Sequence, residues 1–245
     1  MAEKRTPALL IEDNRYCPGC GHGIINRVLA EVLEEMGLAE EAVISLAVGC
    51  GGLMMYSFGT DWIQAPHGRA AAVATGFKRV RPKNCVIAYQ GDGDALAIGF
   101  SETMYAAIRN ENITAIIVNN GIYGMTGGQM APTTLIGQKT TTSPYGRDEA
   151  WCGAPIKMSE MLAAVPSSYY IERVAVNNTA NIVKAKKAIA KAFRYQKEGK
   201  GFCMVEVLST CPTNWGMSPV EAMTWLEENM IPYYPLGVYK DKEAK

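Results

Sequence analysis

Residues 86 to 128 read VIAYQGDGDALAIGFSETMYAAIRNENITAIIVNNGIYGMTGG, and this stretch limits the possible folds more than any other. An apolar strand, Val86 to Tyr89, breaks into Gly91-Asp92-Gly93-Asp94; a helical segment follows, then a strand from Ile113 to Val118 that breaks into Asn119-Asn120-Gly121. Two strands joined by a crossover helix predict a parallel pair, with both breaks at the carboxyl ends of the strands, where open α/β sheets place ligands. Gly91 and Gly93 let backbone approach a phosphate closely, and the helix N-terminus beyond them offers N–H groups to it. Asp92 and Asn120 are hard oxygen donors of the kind that hold Mg²⁺ against phosphate oxygens. A carboxylate aimed at phosphates with no cation between them would repel them, so Asp92 implies a metal. The plainer alternative is two tight turns of a nucleotide-binding sheet.

The pattern resembles the thiamine diphosphate motif, GDG followed after about 25 to 30 residues by NN; here 25 residues (94 to 118) separate Gly93 from Asn119. That resemblance implies Mg²⁺ on Asp92, Asn120 and the main-chain oxygen of Ile122, with Gly93, Asp94, Gly124 and Met125 lining the diphosphate.

The 245 residues suit one large domain or two small ones. Lys plus Arg and Asp plus Glu number 24 each, which gives no electrostatic case for nucleic acid or an anionic membrane. No apolar run approaches the ~20 residues of a membrane span, and MAEKRTPALLIEDNR carries no signal-peptide core, so a cytoplasmic protein is expected. Seven cysteines there stay reduced, which favours metal ligation over disulfides for clustered ones.

Residues 1 to 15 read as an extended arm that packs on a partner. Cys17-Pro18-Gly19-Cys20-Gly21-His22-Gly23 is a CxxC in a glycine-rich turn, and Ile25, Val28, Leu29, Val32, Leu33 and Met36 then predict a helix ended by Gly37. A strand from Ala42 to Val48 leads into Gly49-Cys50-Gly51-Gly52, and another from Phe202 to Leu208 ends at Ser209-Thr210-Cys211-Pro212. Cys17, Cys20, Cys50 and Cys211 lie beside Gly or Pro turns at element ends, whereas Cys85 and Cys203 sit at or within apolar strands as inert thiols. Cys152 has no assignment. On spacing alone, the four suit an iron–sulfur cluster, a structural zinc or no shared site.

CPGCGH, VGCGG, HGRA, GDGD, NNGIYGMTGGQ and CPTN, in this order over roughly residues 14 to 240, resemble the β subunit of 2-oxoacid:ferredoxin oxidoreductases. The resemblance implies an α/β thiamine diphosphate-binding fold, the diphosphate-binding half, with a mostly parallel sheet flanked by helices, in a single domain. It implies a 4Fe-4S cluster on Cys17, Cys20, Cys50 and Cys211, and cofactor contacts from Val48, Gly49, Cys50 and Gly51 and from Ala65, Pro66, His67 and Gly68. His67 would donate to a phosphate or act near the reacting carbon, unless it only caps the next helix; Arg69 would form an ion pair or touch the active site; His22 reads as structural. The implied reaction is oxidative decarboxylation of a 2-oxoacid to acyl-CoA and CO₂, with electrons passing one at a time through the cluster to ferredoxin. An α subunit would carry the pyrimidine-binding half, with γ and ferredoxin-like δ subunits completing an assembly without which this chain is inactive. The loop Gly51 to Tyr56, with Met54 and Met55, and Met125 offer no Lys or Arg for a second carboxylate, which leans the substrate towards branched-chain 2-oxoacids over 2-oxoglutarate or pyruvate. The other function classes are a non-redox thiamine decarboxylase or ligase with structural zinc, and a non-catalytic nucleotide-binding module.

Of the remainder, residues 129 to 155 lack periodicity and read as a long ordered loop, either a lid or a subunit contact. A short helix from Ser159 to Val165, a strand from Tyr169 to Val174, a helix capped by Thr179 and a helix over Pro219 to Asn229 follow. The closing MIPYYPLGVY is expected to pack on another chain.

Overall fold

A computed structural model describes residues 6–244. Its frame is a seven-stranded sheet in the order β2-β1-β3-β4-β8-β7-β9, formed by β1 (Ala42–Leu46), β2 (Asp61–Gln64), β3 (Cys85–Gly91), β4 (Thr114–Asn119), β7 (Tyr170–Ala175), β8 (Cys203–Leu208) and β9 (Gly237–Asp241). All pairings are parallel except that of β9 with β7. A two-stranded hairpin, β5 (Ile122–Tyr123) with β6 (Gln129–Met130), stands beyond β4.

The central strands are apolar without alternation because both faces are covered, as parallel sheets require. Side chains of one strand still part by turns to opposite faces. Ile87 and Tyr89 of β3 meet helices α1 (Gly21–Glu35) and α6 (Thr179–Lys197) through Leu29, Leu33, Ile189 and Phe193. Val86 and Ala88 meet α2 (Ala70–Val80), α3 (Phe100–Ile108) and α5 (Met158–Ala164) through Ala71, Ala74, Ala107 and Leu162. The alanines of α2 bring that helix close against the sheet. Short helices α4 (Glu149–Cys152), α7 (Pro212–Trp215), α8 (Pro219–Trp225) and α9 (Ile231–Tyr233) complete the chain.

Contacts within the chain add to these expectations, and one helix cap is corrected. The arm lies on its own chain from residue 7 on: Leu9 is buried, its N–H meets Glu34, and Gly59 N–H donates to Leu9 O at 2.8 Å; residues 1 to 5 fall outside the described part. The tail is largely bound within this chain, with Met230 and Tyr234 buried against Leu135 and Leu208 and with β9 on the sheet edge. Asn178, not Thr179, caps α6, its side chain accepting from Asn181 N–H at 2.9 Å. The last long helix gives way at Leu226 to a π turn ending at Met230.

One buried side chain ties the two ends of the loop from 131 to 154 together. The Arg147 guanidinium donates to the carbonyls of Ala131, Pro132, Thr134, Cys152, Gly153 and Ala154 at 2.9–3.2 Å. Among the described residues, no helix is long and apolar enough to cross a membrane.

Candidate functional site

The register of the sheet brings the two predicted turns together. Gly91 pairs with Val118, so β3 and β4 end side by side and release Asp92 and Asn120 into one cleft. Val48, Gly49, Cys50, Gly51, His67, Gly93, Asp94, Ile122, Gly124 and Met125 line the same cleft, together with His22, Gly91, Tyr123 and Thr126. Of the expected residues, Ala65, Pro66 and Gly68 stand behind this wall. Ala65 is buried, with its N–H on Leu46 O, and Gly68 N–H serves Asp94.

Two acidic residues divide the work. Asp92 is buried and accepts from Gly93 N–H at 2.9 Å, from Gly121 N–H at 2.8 Å and from the Thr133 hydroxyl. Gly121 reaches it only because its φ of 67° places the turn in the left-handed region. Burial nevertheless pushes the Asp92 carboxyl up to about 6, against the pull of those donors. Among the described residues, no lysine or arginine lines the cleft to balance it. The donor set therefore suits a cation: a desolvated carboxylate, the Asn120 amide and Ile122 gather at one place, and a divalent ion would neutralise the carboxylate.

Asp94 faces the other way. It accepts from Gly68 N–H and from the Gln90 amide, each at 2.8 Å, and it holds Nδ1 of His67. A carboxylate on Nδ1 fixes that nitrogen as the protonated one and leaves Nε2 available to the cleft. The helix after Asp94 opens as a π turn over Asp94–Ile98, with Gly99 N–H on Asp94 O at 2.7 Å, before α3 begins. Such bulges recur at functional sites.

The asparagines divide in the same way. Asn119 turns inward, donating to Glu206 at 2.8 Å, and Glu206 also receives Ser159 and the fully buried Arg173. Asn120 alone lines the cleft, and the Trp215 indole N–H grips its carbonyl at 3.1 Å.

Four cysteines converge beside this cleft. The CxxC turn lies flat on the chain beyond β8: Gly21 N–H meets Thr210 O at 3.3 Å and the Thr210 hydroxyl meets Gly19 O at 2.7 Å. A methyl group on Gly21 would come within 2.2 Å of Ser209 Oγ, so the close approach needs glycine. Cys50 and Cys211 lie beside Gly124, their sulfurs 3.3 and 3.4 Å from where a side chain on that residue would begin. Each thiol lies within electrostatic reach of the rest: Cys20 of Cys17, Cys50 and Cys211; Cys50 of Cys17 and Cys211; Cys211 of Cys17. Burial foremost, with the neighbouring cysteines adding to it, pushes Cys20 up to about 12 and Cys50 up to about 11. Thiols so grouped ionise together only around positive charge. They are neighbours, but among the described residues no group of three or more His, Cys, Asp or Glu side chains is placed to hold a metal ion. Cys85 and Cys203 are buried in the core, as expected.

Of the two alternatives for Arg69 the ion pair is the one seen, and the methionines after Cys50 lie elsewhere than expected. Arg69 is drawn away by Glu102 at 3.1 Å and the Ile98 carbonyl at 3.0 Å, so it is an ion pair outside the cleft. Met54 is buried in the core and Met55 packs against it, because Cys50–Tyr56 winds into a 3₁₀ helix; neither lines the cleft. Tyr123, Thr126 and Thr133 were not singled out from the sequence. For Thr133 no local signal exists, since it reaches Asp92 across 41 positions. His22 is both structural and at the cleft, its Nδ1 2.7 Å from the Tyr89 hydroxyl.

Comparison with known proteins agrees with this geometry. Residues 47–207 match the family described as thiamine pyrophosphate enzyme, C-terminal TPP binding domain. The chain is 44% identical over 230 residues to the ketoisovalerate oxidoreductase subunit VorA of Methanothermobacter thermautotrophicus, covering 94% of this chain and 48% of that protein. It thus spans about half the length of that relative. It is 36% identical over 222 residues to the 2-oxoglutarate synthase subunit KorB of Methanocaldococcus jannaschii, covering 88% and 78%. A solved 2-oxoglutarate:ferredoxin oxidoreductase from Magnetococcus marinus superposes with a TM-score of 0.80 at 26% identity, covering 99% of this chain and 87% of that one. With motif, cleft and relatives in agreement, the chain belongs to the thiamine pyrophosphate enzymes, among the thiamine-binding subunits of 2-oxoacid:ferredoxin oxidoreductases.

Proposed function

We propose that this chain is the thiamine diphosphate- and 4Fe-4S-carrying part of a cytoplasmic enzyme that oxidatively decarboxylates a 2-oxoacid to its acyl-CoA, with electrons to ferredoxin. The observation that carries the proposal is Cys50, which belongs at once to the cysteine group and to the cleft holding the uncompensated Asp92. A diphosphate held by magnesium on Asp92 and an electron acceptor on the cysteines would be neighbours.

In this reading Asp92, Asn120 and the Ile122 main-chain oxygen hold Mg²⁺, while Gly93, Gly124 and Met125 line the diphosphate. Asp94 acts through His67: it keeps the proton on Nδ1, so neutral His67 takes a proton from the bound ligand at Nε2 and donates to it only as the doubly protonated ring. Thiamine diphosphate, once bound, supplies the carbanion that attacks a 2-keto carbon and takes up the electrons released with CO₂. These residues would provide the diphosphate side of the site. Val48 and Met125 stand 42% and 49% exposed at the rim, which suits a partner subunit that closes the cleft with the pyrimidine-binding half. Further γ and ferredoxin-like δ subunits would serve coenzyme A and electron relay.

The substrate reading is a branched-chain 2-oxoacid. Among the described residues the cleft has no lysine or arginine for a second carboxylate, and its open rim is apolar. The relative of 44% identity is named a ketoisovalerate oxidoreductase. 2-Oxoglutarate is the second reading, favoured by the name of the KorB relative.

An anaerobic assay of the complex co-purified with this chain tests both levels. It offers 3-methyl-2-oxobutanoate, 2-oxoglutarate and pyruvate with coenzyme A and a viologen acceptor. Coenzyme A-dependent viologen reduction is expected, fastest with the branched acid. Faster turnover of 2-oxoglutarate would overturn the substrate. Decarboxylation without viologen reduction, with zinc in place of iron on metal analysis, would overturn the redox reading.

A further inference from the structure

Asn214, the last residue of CPTN, stands beside the cysteine group and the cleft; it has no assigned role and is not part of the cleft wall. Its side-chain amide nitrogen lies 3.4 Å from the Cys211 sulfur and 3.1 Å from the Gly124 carbonyl. The carbonyl can only accept, so the NH₂ end of the amide must face this pair, and a hydrogen is left for the sulfur. Its room is limited: a side chain on Gly128 would begin 3.0 Å from the amide oxygen, and one on Gly124 would begin 3.5 Å from the nitrogen.

We propose that Asn214 tunes the redox centre on the four cysteines, donating an N–H to Cys211 so that the centre accepts an electron more readily. This rests on the iron–sulfur reading above. An N–H aimed at a ligating sulfur stabilises negative charge there, and the reduced centre carries one more negative charge than the oxidised one. The reduced form therefore gains more from the bond. Asn214 is a positioning and tuning residue, since it touches a ligand of the centre and not the reacting atoms. Because the same NH₂ holds Gly124, beside Met125 of the cleft wall, the sulfur is also kept in register with the cofactor side.

The test uses the full chain, reconstituted anaerobically with ferrous iron and sulfide and titrated with dithionite as the electron donor. The reduced centre is followed by electron paramagnetic resonance as a function of potential. Asn214→Leu keeps the volume and Asn214→Asp keeps the shape, yet neither donates an N–H. Both are expected to hold iron as the wild type does and to lower the reduction equilibrium by about tenfold, 59 mV for a one-electron couple. Asp, which adds charge, shifts it further, whereas Thr213→Ala, on an exposed neighbour, leaves it in place. Iron-loaded variants with an unmoved midpoint would overturn the tuning role and leave the iron–sulfur reading intact. Folded variants that no longer hold iron would reassign Asn214 to assembly of the site. A wild-type chain that takes up no iron would end both.

Discussion

The charge on Asp92 should be measurable as a pH-dependent strain on the ligand-free protein. Its carboxyl is raised from the ordinary 3.8 to about 6 by burial. Between those values the native state binds the proton and the unfolded chain releases it, so native stability falls as pH rises through the window. At 1.36 kcal/mol per pH unit, the rise comes to about 3 kcal/mol, present as a penalty above pH 6 and absent below pH 4. Asp92→Asn removes this titration. It also weakens the hydrogen bonds from Gly121 and Thr133, whose pH-dependent part is already contained in the net value of about 6. The stability difference between wild type and variant therefore isolates the charge. Urea unfolding of both proteins from pH 4 to 8 should show the wild type losing about 3 kcal/mol relative to the variant, or about 6–12 °C in Tm for a chain of this size. Magnesium with thiamine diphosphate at pH 7.5 should raise the wild type and leave the variant unmoved. A gap that stays flat across the range, or a wild type that gains on the variant as pH rises, would refute the reasoning.

Other perturbations test the scaffold around the site. Gly93→Ala would set a methyl group 2.2 Å from the Tyr123 ring and should cost about 1–3 kcal/mol by overpacking; Tyr123→Ala in the same chain should restore most of it, read as the urea midpoint. Arg173→Met strands the buried Glu206 and should cost about 3–5 kcal/mol, with Glu206→Gln as the partly compensating second change. Glu160 adds an acid limb to this pair: burial raises its carboxyl, yet the Arg173 hydrogen bond and charge outweigh burial and hold it below the ordinary range. Its contribution is present above the ordinary carboxylate range and lost as pH falls through the lowered value, and Arg173→Met should abolish that limb in a pH series. Arg147→Met frees six backbone carbonyls and should open residues 131 to 154 to limited proteolysis while far-ultraviolet circular dichroism barely changes.

Much of the site was legible because its signals are local. A strand that ends in an acidic glycine turn, a crossover helix and a strand that ends in paired asparagines dictate adjacent parallel ends, and Gly91 indeed pairs with Val118. Turn chemistry set Cys17, Cys20, Cys50 and Cys211 apart from Cys85 and Cys203 in their apolar strands, but it left Cys152 unassigned, and the shared ligand set came from the family resemblance. Helix α1 followed from its periodicity, which needs only neighbours three and four positions away.

What tertiary structure decided were the partnerships between distant positions. Whether Arg69 serves a ligand or a carboxylate depends on where α3 puts Glu102, and whether Met54 faces a pocket or the core depends on how the segment after Cys50 winds. The burial of Arg147 and Arg173 has no local signature, because a charged side chain is buried only where remote oxygens already wait for it. The tail joined its own sheet because β7 offered an open edge, which a sequence of single residues does not display. Local pattern determined which groups this protein brings to its strand ends; chain closure over long separations decided which of them meet.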